Sequence, residues 1–444
     1  MNEAAAQTLE RLRSGALAGA ARLDLAGGLT EFPREIFELA DSLEVLNLSG
    51  NALSELPADF ARLHKLRILF CSQNRFTRLP DVLGECQQLD MVGFKSNRIS
   101  QVNGAALPPR LRWLILTDNE IATLPDELGR RPRLQKLMLA GNRLAALPES
   151  MAACPRLELL RIASNRFDAL PGWMLEMPRL SWLAFAGNPL VRANEDRAVL
   201  AHPVSDIAWA DLQLREVLGE GASGVIHRAA WKNGGAHDAV AVKLFKGHIT
   251  SDGSPRSEMD ACTAGGIHPN LIPVRGRVAG HPEGTPGLVL DLVDPGYRNL
   301  GGPPSFESCT RDVYASGAGF SWRSLLAIAG GTASALAQLH RRGVMHGDFY
   351  AHNILWDGAQ GALLGDFGAA SFFAPDSAQG TALQRIEARA FGCLLEELIE
   401  RCEGIPGLRE RETLTQLQAR CFDPDPRQRP GLEQVAAALG DVAR

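Results

Sequence analysis

The chain has 444 residues, 45% of them hydrophobic and 22% charged, with a formal net charge of −5. One small domain uses roughly 150 residues, so two or more folding units are expected, and the composition excludes disordered, collagenous and coiled-coil classes. The slightly acidic balance, without long blocks of one sign, argues against nucleic acid as a partner. No apolar run reaches the length of about 18 residues that a membrane span requires, and Met1 to Leu17 lacks a basic leader and an apolar h-region. Eight cysteines without C-x-x-C spacing read as reduced core thiols. The expectation is a cytoplasmic protein, with delivery into another cell by a non-classical route left open.

Residues 1–19 read as an N-terminal capping helix, centred on the Ala-rich stretch Asn2 to Arg13. From there an L-x-x-L-x-L-x-x-N pattern starts at Leu43, Leu66, Leu89, Leu111, Leu134, Leu157 and Leu180, spaced by 23, 23, 22, 23, 23 and 23 residues. A degenerate unit around Leu23, Leu25 and Leu29 precedes them, giving about eight repeats across residues 20–190. Each unit is one short strand and a return segment that cannot bury its leucines alone, so neighbours stack on a shared core. The recurring asparagines, Asn51 to Asn188, fall at the turn, where their amides can bond backbone groups left unpaired. This pattern resembles the leucine-rich-repeat family.

Strand alternation sends the third and fifth positions of each unit outward on the concave side. Nine of these are large and apolar: Val45, Ile68, Phe70, Met91, Trp113, Ile115, Met138, Leu159 and Trp182. A solvated face is mostly polar, so this one is read as a binding face for a protein or peptide, with an outside partner and the chain's own second half both open. Residues 191–207, with a helix at Asn194 to Ala201, read as a cap over the last repeat and a linker.

A second domain spans residues 208–444. It opens on Gly219-Glu220-Gly221-Ala222-Ser223-Gly224, a G-x-G-x-x-G signal shared with dinucleotide-binding folds. After these glycines the chain reads not as a helix but as a hairpin through Asn233-Gly234-Gly235 and a strand carrying Lys243, the order an ATP-covering loop and its phosphate lysine require. Val240-Ala-Val-Lys243, His346-Gly-Asp348-Phe-Tyr-Ala-His-Asn353 and Asp366-Phe367-Gly368 then succeed one another. In this order they resemble the protein-kinase family. Together with the repeats, the resemblance is to bacterial-type leucine-rich-repeat kinases: an α/β leucine-rich-repeat solenoid followed by an α+β bilobal kinase fold, with an N-lobe over about 208–293 and a C-lobe over about 294–444.

The resemblance implies ATP and Mg²⁺ as cofactors and gives the residues roles. The backbone of Gly219, Glu220, Gly221, Ala222, Ser223 and Gly224, with Ile226, would cover the nucleotide. Lys243, oriented by Glu258, would hold its α and β phosphates, and a hinge at Leu290 to Val293, including Asp291 and Val293, would take adenine. Asn353 and Asp366 would hold Mg²⁺, and Asp348 would receive or orient the proton of the acceptor hydroxyl. The implied activity is serine/threonine phosphorylation, including autophosphorylation; a small-molecule phosphotransferase and a nucleotide-binding scaffold stand as alternatives.

Several positions depart from the family pattern. Gly347 replaces the usual arginine, implying activity independent of activation-loop phosphorylation, and Tyr350 stands where a lysine is common. Only 18 residues separate Gly368 from Glu387, which takes an aspartate's place, and Ala-Pro-Glu is absent, leaving Arg429 without its family partner. A Gly-, Pro- and Ser-rich insert, Asp294 to Gly319, reads either as a lid or as a disordered excursion. If the concave face docks on the kinase lobe, removal of residues 1–205 should raise activity.

Overall fold

The computed structural model describes residues 3–221, 223–247, 250 and 252–443. It divides into two compact units, Met1–Met174 and Leu175–Arg444.

In the first unit, helix α1 (Glu3–Arg13) buries Ala5, Leu9 and Leu12, the spacing of a single helical face. Seven three-residue strands follow: β1 (Arg22–Asp24), β2 (Val45–Asn47), β3 (Ile68–Phe70), β4 (Met91–Gly93), β5 (Trp113–Ile115), β6 (Lys136–Met138) and β7 (Leu159–Arg161). They pair in parallel and in one register, with Leu23, Leu46, Leu69, Val92, Leu114, Leu137 and Leu160 level and buried. The asparagines do what their position demands. The Asn51 side-chain oxygen accepts from Gly27 and Leu29 amides while its Nδ2 donates to Leu25 and Leu48 carbonyls, and Asn74 repeats the pattern one unit on. Each amide thus ties its own turn to the preceding unit, satisfying backbone groups that a tight turn orphans.

The second unit begins inside the last repeat, with β8 (Trp182–Ala184). Helix α2 (Arg192–Ala201) and strand β9 (Asp206–Ala208) lead into β10 (Leu212–Glu220), β11 (Gly224–Asn233) and β12 (Ala236–Phe245). Gly234 and Gly235 both take positive φ, the requirement of the two-residue turn joining β11 to β12. Helix α3 (Pro255–Gly265), capped by Ser254, precedes β13 (Val274–Ala279) and β14 (Gly287–Asp291). The strands form one sheet in the order β10-β11-β12-β14-β13-β9, over a core of Ile207, Leu212, Ala229, Val240, Val242 and Val289. Helix α2 packs against α3 and against the Pro189–Val191 turn that precedes it.

The helical half contains α4 (Trp322–Arg341), α5 (Ala378–Glu400), α6 (Leu408–Cys421) and α7 (Leu432–Val442), with α4 against α7 and α5 against α6. Ser321 and Gly343 punctuate α4 as cap and left-handed stop. The insert is ordered: Gly302 and Val313 exchange backbone hydrogen bonds, Arg311 pairs with Glu396 and Glu397, and Tyr314 donates to Glu397 at 2.9 Å. All eight cysteines are free thiols, and burial pushes Cys154 up to about 11. Among the described residues no helix is long and apolar enough to cross a membrane.

Candidate active site

Lys243 projects from β12 between Ile226 on β11 and Leu288 on β14, its strand neighbours. Glu258, on the first turn of α3, meets it in a buried ion pair. Burial works against the charge on Lys243, yet the carboxylates of Glu258 and Asp366 outweigh it and hold the ammonium above its usual range. Burial also lifts the Glu258 carboxyl, with Lys243 pulling it back. We take the pair as ionic, because the cation answers to two carboxylates at once.

The loop after α4 is fixed through its backbone. Glu387 of α5 accepts from the amides of His346 (3.3 Å) and Gly347 (2.7 Å) and from His340 Nε2 at 2.7 Å. Although burial favours its neutral form, these neighbours hold the Glu387 carboxyl below the usual range. His346 Nδ1 lies 3.3 Å from the Asp348 amide, which can only donate, so Nε2 carries the proton and donates to Gly365 O at 2.9 Å. Asn353 Nδ2 donates to both the main-chain oxygen and Oδ2 of Asp348, each at 2.8 Å. That use of its nitrogen leaves the Asn353 amide oxygen as the end a hard cation takes. Asp366 adopts φ +50°, which a short polar side chain tolerates, and its Oδ1 accepts from the Gly368 amide at 3.1 Å. Phe367 is buried, 5.1 Å from the His346 ring.

These elements enclose a cavity of about 400 Å³ lined by the glycine-rich turn, Ile226, Lys243, Asp366 and Gly368. A Cβ on Gly219 or Gly221 would meet nothing within 4 Å, whereas one on Gly224 would strike Leu244 O at 2.4 Å. The last glycine serves strand packing; the first two leave room over the cavity.

Residues 212–391 match the family described as protein tyrosine and serine/threonine kinase, and residues 22–76, 109–167 and 132–190 match leucine rich repeats. The chain joins leucine-rich repeats to a protein kinase domain. It is 26% identical over 306 residues to the L-type lectin-domain containing receptor kinase S.7 of Oryza sativa subsp. japonica, covering 56% of this chain and 42% of that one. To the Arabidopsis thaliana L-type lectin-domain containing receptor kinase VIII.1 it is 33% identical over 158 residues, 35% of this chain and 20% of the relative. The mouse leucine-rich repeat and calponin homology domain-containing protein 1 is 30% identical over 126 residues, 28% of this chain and 18% of that one. The chain therefore spans less than half the length of each.

In the kinase domain Lys243 and Asp366 line the cavity with Gly219, Glu220, Gly221, Ser223, Gly224 and Ile226; Glu258 joins them through Lys243, while Asp348 and Asn353 are paired with each other and are not among the described lining residues. Ala222 lies outside the described residues. One detail differs from the sequence expectation: the Gly221 amide donates to Gly224 O and is spent within the turn; the Glu220 carboxylate, which the expectation leaves out, pairs with Lys246. Asp291 ends β14 with its carboxylate on Arg275, and neither it nor Val293 is among the described lining residues. Thr250, Asp252 and Asn299 line the cavity without any motif marking them.

Of the concave positions, Val45, Phe70, Trp113 and Ile115 are partly exposed, and Lys136 Nζ sits 4.0 Å over the Trp113 ring. Ile68, Met91, Met138 and Leu159 are buried, so they add little to an open face. Trp182 is not an open binding residue: it is 1% exposed, stacked on Tyr350 with centroids 4.3 Å apart. Arg429, fully buried, donates to the carbonyls of Pro178 (2.7 Å), Asp423 (3.0 Å) and Arg385 (3.3 Å) where the family pattern has a glutamate, and burial lowers it to about 10.

Proposed function

We propose that the protein is an ATP- and Mg²⁺-dependent kinase that phosphorylates serine or threonine, on itself or on a protein held by its repeats. The observation that carries this is the assembled Lys243–Glu258 pair facing Asp366 across a cavity roofed by two glycines that the protein's own packing does not need. A triphosphate fits such a place: it needs a cation, close backbone approach and acidic groups for its counter-ion. The residues present fit Mg²⁺, with Asp366 and the Asn353 amide oxygen as its protein ligands. When bound, Mg²⁺ supplies charge neutralisation between the phosphates.

The chain's own residues do the rest. Lys243, kept cationic by two carboxylates, draws the phosphates of ATP to one side of the cavity. Asp348, its carboxylate steered by Asn353 Nδ2, orients the acceptor hydroxyl and takes its proton as the phosphoryl group transfers. His346 and Glu387 keep the loop from moving while charge builds. The partly exposed row Val45, Phe70, Trp113 and Ile115 is the surface we assign to protein recognition, and the eight free thiols fit a reducing, cytoplasmic setting. Purified protein incubated with labelled ATP and Mg²⁺ should label itself or an added protein, and Asp348→Asn should reduce transfer by about 10²-fold or more. Equal labelling by the Asn variant would overturn the assignment.

A further inference from the structure

The catalytic loop is gripped from two sides. One grip is Glu387, on the amides of His346 and Gly347. The other comes from β8. Trp182 donates from Nε1 to the carbonyl of Phe349 at 2.9 Å, and its ring lies flat on Tyr350, the planes 6° apart. These are the two residues that come directly after Asp348. On the other side of Asp348, a Cβ on Gly347 would lie 2.7 Å from the carbonyl oxygen of Leu183, so β8 passes in direct contact with the main chain there as well. The strand is itself moored to this unit: the Phe185 amide donates to Ser371 Oγ at 2.9 Å, Arg389 to Ser181 Oγ at 2.6 Å, and Arg429 to Pro178 O at 2.7 Å.

A glycine preceding Asp348 leaves the loop more backbone freedom than any other residue would; the segment after Gly368 braces only its near side, pairing Ser371 and Phe372 with Met345 and Val344 and setting Ala369 O against Gly347. A flat, nearly rigid indole with one donor is suited to that task, since it fixes a carbonyl and a ring while losing few rotamers of its own. Neither Phe349 nor Tyr350 is among the described residues that line the nucleotide cavity.

We propose that Trp182 is a positioning residue for phosphoryl transfer, holding Phe349 and Tyr350 so that the Asp348 carboxylate points at the acceptor. The proposal rests on the kinase reading, with Asp348 as the group that takes the proton. It predicts a split between chemistry and binding. In the full-length protein, Trp182→Phe keeps the stack and removes the donor, while Trp182→Leu removes both. The phenylalanine variant should lose about tenfold in kcat and the leucine variant about 10²-fold, the scale of a small misplacement of a reacting group. Affinity for ATP measured by calorimetric titration should stay within twofold of wild type in both. Hydrogen exchange of the backbone amides in residues 346–353 should quicken in both, most in Trp182→Leu, and stay unchanged in α4. Wild-type kcat in both variants, unchanged exchange across 346–353, or nucleotide affinity falling in step with kcat would each overturn it. A wild-type protein that transfers no phosphate, yet whose loop exchange still responds to Trp182→Leu, would instead overturn the kinase reading and with it any catalytic role for the tryptophan.

Discussion

Gly347 shows how one backbone position rules out a side chain. Its φ is +74°, and a Cβ there would lie 2.6 Å from Ala369 O and 2.7 Å from Leu183 O. The sequence marks this residue as the family's missing arginine but offers no reason, because both obstructing carbonyls are distant along the chain. Restoring a side chain should therefore do harm. Gly347→Ala is expected to lower stability by at least about 1–2 kcal/mol from the left-handed backbone alone, before the two contacts are counted, and a thermal melt will read it as a drop of several degrees. Glu387 carries a pH signature. Its folded pKa is depressed below the unfolded value of about 4.3, so its contribution is present above that value and disappears as pH falls through the folded one. Glu387→Gln should cost about 3–5 kcal/mol at pH 7, the scale of breaking a buried charge network. The gap from wild type should narrow below about pH 4, as urea titrations at pH 7, 5 and 4 will register.

At the scale of elements, what repeats locally is legible in the sequence and what is held from afar is not. The strands β1 to β7 announce themselves because each returns a leucine or valine to the same level of one core, and the asparagine amides need only their own turn and the one before. The β11–β12 turn is equally local, two glycines with positive φ. The insert has no such period. Its order comes from α5, through Arg311 and Tyr314 on Glu397, and from the catalytic loop, where Asp312 accepts from the His352 amide at 2.9 Å and lies 2.7 Å from His352 Nδ1. Asp312 is almost wholly buried, so Asp312→Ala leaves two donors without their acceptor and should cost about 2–3 kcal/mol, measurable by equilibrium unfolding. The same long reach explains Thr250, Asp252 and Asn299 at the cavity: they arrive there by chain path, not by motif. Lys243, Glu258, Asp348, Asn353 and Asp366 are legible because their order and spacing are shared with a known family.

At the scale of the molecule, the sequence draws a boundary near residue 208, where the repeat pattern has ended and strand alternation resumes. The compact second unit starts at Leu175. Periodicity assigns Leu180 and Asn188 to the array, but it cannot say that Ser181, Trp182 and Phe185 spend their outward groups on Arg389, Phe349 and Ser371. Removal of residues 1–205 deletes all of these partners. The sequence ties a rise in activity on such a deletion to docking of the concave face; the contacts of β8 lead to the opposite prediction, that the shortened protein should lose most of its turnover and melt several degrees lower, as side-by-side phosphotransfer and calorimetry will report.

The mooring of β8 also bears on how such a chain can change over generations. Repeat arrays commonly gain, lose and exchange units because each unit meets only its neighbours. The unit carrying Trp182 has given up that freedom. It answers to Gly347, Ser371, Arg389 and Arg429, so a foreign repeat spliced at this place would arrive without the right handholds. Recombination should tolerate substitutions among the earlier units and stop short of this one.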